Sequence, residues 1–176
     1  MSVTKPSAGS AAVKDRHFGD CIDQTRRALH ICDLLEALAD DLPKRRAPHW
    51  REARLQCRSV LLPYFRWMQD LILPELERKS DQNVDRTDVL ARLATDYRDQ
   101  LHSLTDLEDL IADAILCEKF AEEPEALGYA LRGHFDSLRR DLSWQLAVLW
   151  PLATRLCTDA DAARFLEALH SKRASS

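Results

Sequence analysis

Two stretches of this chain repeat each other in order, and that repetition constrains the fold more than any single motif. TRRALHICDLLEALADD (Thr25 to Asp41) aligns with YRDQLHSLTDLEDLIAD (Tyr97 to Asp113) 72 residues later, pairing Arg26 with Arg98, Leu29 with Leu101, His30 with His102 and Glu36 with Glu108. The segments that follow echo each other at an offset of 77, pairing Trp67 with Trp144 and Pro74 with Pro151. An ordered double echo of this kind marks two related helical hairpins.

Apolar residues recur at steps of three and four, the spacing of one face of an α-helix. The first segment, about Asp20 to Leu42, carries Ile22, Thr25, Leu29, Cys32, Leu35, Leu38 and Leu42 and stops at Pro43. The second, about Pro48 to Lys79, turns Leu61, Tyr64, Phe65, Met68, Leu71 and Ile72 inward, and Pro63 is expected to remove a hydrogen bond and bend it. A cap at Asp85 or Thr87 opens the third, with Leu90, Leu93, Tyr97, Leu101, Leu104, Leu107, Ile111 and Ile115. Pro124 opens the fourth, with Leu127, Leu131, His134, Leu138, Asp141, Gln145, Leu149, Leu152 and Leu156. Thr158 and Asp161 form a capping box for a short fifth helix, DADAARFLEALH.

The expected fold is therefore all-α: an antiparallel up-down-up-down four-helix bundle with a short C-terminal fifth helix. Residues 1–19 read as a disordered arm, 20–170 as the bundle and 171–176 as a flexible tail. Only four glycines are present, too few to supply the turns of a hairpin-rich β fold. A net charge of −4 gives no electrostatic footprint for nucleic acid. Neither a secretory signal nor a membrane span is legible, so the expected setting is the cytoplasm, with no membrane partner. Five cysteines without a CxxC pair fit neither a disulfide framework nor a common zinc site.

Anchored on their prolines, YFRWMQDLILP and DLSWQLAVLWP resemble the second and fourth helices of the hemerythrin-like, or HHE cation-binding, bundles. Members of that family carry His-Phe-x-x-Glu-Glu-x-x-Leu-Phe-Pro there and a lone histidine early in the first and third helices. The resemblance implies a di-iron centre between four helices. Its ligand slots fall here at Thr25, Tyr64, Met68, Tyr97, Asp141 and Gln145, none of which is the family's His or Glu.

These positions are therefore expected to be vestigial, with no metal, no other cofactor and no catalytic residue. The implied function is a non-enzymatic binding or regulatory module whose partner is a protein or a small molecule. The alternative is a divergent metal-binding or oxygen-handling protein holding iron through Tyr64, Tyr97 and Asp141. Buried together, such groups must satisfy one another. The expected network has Asp141 accepting from the Tyr97 or Tyr64 hydroxyl, with Gln145 and Thr25 completing it. A pocket lined by His134, Asp141 and a tyrosine is a candidate ligand site. His30 and His102, five residues past a ligand slot, are rotated about 140° away from the bundle axis.

Overall fold

The computed structural model describes residues 16–42, 47–80, 84–116 and 122–174, and among these there is no strand. The first fifteen residues of the expected arm, residues 43–46 of the first connection, Cys117 and the last two residues lie outside the described residues. Helix α1 is Arg16–Asp40. It starts before the expected Asp20 because Phe18 adds a buried position to the stripe, while His17 Nδ1 lies 2.8 Å from Asp159 Oδ2.

Helix α2 runs in pieces: Ala47–Gln56, a π turn Cys57–Leu61, Leu62–Trp67, a second π turn Met68–Ile72, then Leu73–Lys79. Helix α3 is Val84–Leu116, so the expected caps at Asp85 and Thr87 fall inside its first turns. Helix α4 comprises Pro124–Trp144, a π turn Gln145–Leu149 and Trp150–Leu156, and α5 is Asp159–Ala174. The capping box at the start of α5 is reciprocal. Thr158 N–H donates to Asp161 Oδ2 at 2.8 Å, and Asp161 N–H returns to Thr158 Oγ1 at 3.3 Å.

All three π turns have one sequence cause. Pro63, Pro74 and Pro151 each lie two residues past the end of a π turn. Proline offers no N–H, and its ring collides with the carbonyl four residues earlier in a regular α-helix. A widened turn moves that carbonyl aside, and the residue before each proline bonds five residues back: Leu62 to Cys57, Leu73 to Met68, Trp150 to Gln145. The bend expected at Pro63 is thus preceded by a local widening of the helix.

Neighbouring helices run in opposite directions, as cross-helix pairs show. Along α4 and α1, Arg132 reaches Asp40 at 2.6 Å, Arg139 reaches Glu36 at 2.7 Å, and Trp150 reaches Thr25 at 2.7 Å. Between α2 and α3, Arg54 lies 3.3 Å from Glu108, while the Phe65 and Tyr97 rings lie 5.8 Å apart. Helix α5 is pinned to α2 by the Trp67 indole, which donates to the Phe165 carbonyl at 2.6 Å.

One core joins these helices, including Trp50, Phe65, Trp67, Phe135, Trp150 and Phe165, each fully or almost fully buried. Each such side chain contributes about 1.5–3 kcal/mol by leaving water. The repeat persists in the packing. Thr25 and Tyr97, Cys32 and Leu104, and Leu35 and Leu107 are buried in matching pairs, while His30 and His102 are both exposed. Among the described residues no helix is long and apolar enough to cross a membrane.

Candidate functional site

Five of the six expected ligand positions are fully or almost fully buried: Thr25, Tyr64 and Met68 at 0% exposure, Gln145 at 1% and Tyr97 at 4%. Thr25, Tyr64 and Gln145 stand where α1, α2 and α4 meet and share a hydrogen-bonded relay. The Trp150 indole, which can only donate, gives its proton to Thr25 Oγ1 at 2.7 Å. Thr25 Oγ1 lies 2.8 Å from the Tyr64 hydroxyl, which donates in turn to Gln145 Oε1. Since Tyr64 commits its proton to Gln145, Thr25 is the donor in the middle step. Met68, also fully buried, is not a member of this relay.

Each polar group along the relay is neutral. Burial pushes the Tyr64 phenol far above its ordinary range, the Thr25 hydrogen bond opposing the shift only in part. Burial likewise pushes the Cys21 thiol up to about 12, with Asp20 and Asp159 adding to the shift. Hydroxyl, amide, indole and thioether groups of this kind do not fit the carboxylate and imidazole donor set that a di-iron centre requires. Among the described residues, no cluster of three His, Cys, Asp or Glu side chains could hold a metal ion.

Asp141 departs from the expected network. Its side chain remains 30% exposed at the edge of α4, and its hydrogen bond comes from Gln100 Nε2 rather than from Tyr64 or Tyr97. Leu142, the next residue, takes the buried position instead. Burial raises the Asp141 carboxyl above its usual value, with Arg140 and Gln100 opposing that shift. The carboxylate keeps contact with solvent, with Gln100 as its hydrogen-bond donor and Arg140 Nε 4.0 Å away.

Tyr97 is 4% exposed, yet its hydroxyl finds no hydrogen-bond partner among the described residues. Its ring packs on Phe65, and burial raises its pKa well above that of free tyrosine. The pocket expected around His134 is displaced. Asp141 and Tyr97 do line a cavity of about 380 Å³, but His134 is not in its wall. His134 lies instead at the α3 interface, with Nδ1 2.9 Å from Ser103 Oγ, and burial lowers its pKa. Phe135 occupies the inward position expected for it.

Two roles in this region are not legible in the sequence: the burial of Gln100 and the hydrogen bond of Trp150. Gln100 is buried because the α3 stripe runs Leu93, Tyr97, Gln100, Leu104, Leu107, Ile111, Ala114, an alternation of four and three that selects Gln100 over Leu101. Trp150 enters the relay because it follows a π turn, which rotates it onto the face of Gln145. No protein-family model matches this chain, and no curated protein or solved structure is significantly similar to it.

Proposed function

We propose that the chain is a hemerythrin-like up-down-up-down four-helix bundle with a short fifth helix, whose centre has exchanged metal ligands for an internal hydrogen-bond relay. In this reading it is a non-enzymatic binding or regulatory module. The carrying observation is the path Trp150 to Thr25 to Tyr64 to Gln145, in which three of the six slots the resemblance assigns to ligands are hydrogen-bonded to one another. The matching π turns at Met68–Ile72 and Gln145–Leu149 support descent of both hairpins from one unit. The raised pKa values of Tyr64 and Cys21 support an interior without a resting nucleophile or anion.

Elemental analysis and an absorption spectrum of freshly purified protein test this reading. The expected result is a substoichiometric iron content with no visible band. Stoichiometric iron with a tyrosinate charge-transfer band overturns it in favour of ligation through Tyr64 or Tyr97.

A further inference from the structure

A half-open cavity of about 380 Å³ lies between α3 and α4, with Phe65 of α2 in its wall. Its apolar walls are Phe65, Leu93 and Trp144. Three residues in the same wall, each at least nine-tenths buried, hold polar atoms without a hydrogen-bond partner among the described residues. These are the Tyr97 hydroxyl, Gln100 Oε1 and Gln145 Nε2. An unsatisfied buried polar atom costs about 1–3 kcal/mol, so three in one cavity form a concentrated deficit.

The neighbours fix the chemistry of each orphan. Gln100 turns its amide nitrogen to the Asp141 carboxylate, which can only accept, and that leaves its carbonyl oxygen as a free acceptor. Gln145 receives the Tyr64 proton on its carbonyl oxygen, and its NH2 is a free donor. Tyr97 can do either. The cavity thus offers a donor from α4, an acceptor from α3 and an adaptable hydroxyl one turn away from that acceptor. Its charged rim is balanced: Arg92 and Arg140 stand against Asp96 and Asp141, so neither sign of ligand charge is favoured.

We propose that this cavity is a binding site for a small uncharged aromatic molecule carrying a carboxamide or lactam group. A flat ring suits walls built of Phe65, Leu93 and Trp144, and an amide supplies the carbonyl that Gln145 and Tyr97 lack together with the N–H that Gln100 lacks. At about 30 Å³ per water-sized group, the volume admits a ligand of about a dozen non-hydrogen atoms. The inference deepens the binding reading and rests on it for its role, but not on the absence of iron.

The test is a titration of the full chain with benzamide, followed by 1H–15N NMR at the Trp144 indole and the Gln100 and Gln145 side-chain amides. Benzoate, benzylammonium and toluene serve as comparators of similar shape. The expected result is saturable shifts confined to the cavity for benzamide, with each comparator at least about tenfold weaker. Tyr97→Phe, which removes only the orphan hydroxyl, is expected to weaken benzamide about tenfold with the thermal melt retained. Leu93→Trp is expected to fill the space and abolish the shifts. Equal binding of toluene, or of benzamide to Tyr97→Phe, overturns the amide recognition. No saturable shift at about 10 mM benzamide overturns the site itself. Iron analysis separates that failure from failure of the metal-free reading, because the two measurements share no variable.

Discussion

Tyr64 and Asp141 stand 77 residues apart at equivalent points of α2 and α4, each one helical turn before a π turn that leads into a proline. At the first point a phenol ring fills the interior completely, its hydroxyl held on both sides by Thr25 and Gln145. At the second, a shorter carboxylate stays at the rim, and a cavity of about 380 Å³ with three unsatisfied polar atoms lies beside it. One scaffold therefore supports a closed interior on one side and an incomplete one on the other. The side chains at the repeated position differ in the same sense, since an aspartate has less volume than a tyrosine and a higher cost of leaving water.

The sharpest way to break this comparison is Tyr64→Phe. Removing the hydroxyl leaves Thr25 without an acceptor and Gln145 Oε1 without a donor, both fully buried. Loss of about 2–4 kcal/mol in urea denaturation is the expected outcome. A loss under about 0.5 kcal/mol means that the relay does not exist and the two sides are alike.

The helices themselves were legible in the sequence, because periodicity, prolines and the Thr158–Asp161 box are local signals. The five inward slots Thr25, Tyr64, Met68, Tyr97 and Gln145 follow from the same stripes. The edges were not legible. A stripe drawn through every third or fourth residue cannot separate Leu142 from Asp141 or Phe135 from His134, since adjacent positions differ by only about 100° and the neighbouring helix decides which one is covered. Nor does the pattern reveal a π turn, which adds a residue and shifts the register of everything after it, bringing Trp150 onto Thr25.

Two aspartates sharpen the contrast through pH. Asp161, at the junction of α2 and α5, loses its solvent but gains Lys79, the Thr158 backbone and side chain and Arg164, and its folded pKa is lowered. A lowered pKa stabilises the fold above the unfolded value near 3.8, and that stabilisation declines below it and is gone only once pH has fallen through the lower folded pKa. Asp161→Asn should therefore cost about 1–2 kcal/mol at pH 7 and distinctly less near pH 2. Asp141 has the opposite shift, so its ionisation disfavours the fold above its raised pKa. Asp141→Asn should leave stability at pH 7 equal or slightly higher, a difference that vanishes as pH falls. Thermal melts at both pH values check the pair, and parallel profiles for the two variants would remove the electrostatic side of the comparison.

The smallest expected effect is the most discriminating, because it repeats the first substitution at the other side of the interior. Tyr97 is as buried as Tyr64 to within a few per cent, and its ring has a similar aromatic neighbour in Phe65. Burial alone would make Tyr97→Phe and Tyr64→Phe equivalent. Hydrogen bonding separates them: the Tyr97 hydroxyl has no partner among the described residues, so its removal deletes an unsatisfied group and no bond. Tyr97→Phe should leave stability unchanged or raise it by up to about 1 kcal/mol, measured by the same urea titration. A loss comparable to that of Tyr64→Phe would place the hydroxyl in a satisfied network, and the cavity beside Asp141 would then be a closed interior like its counterpart.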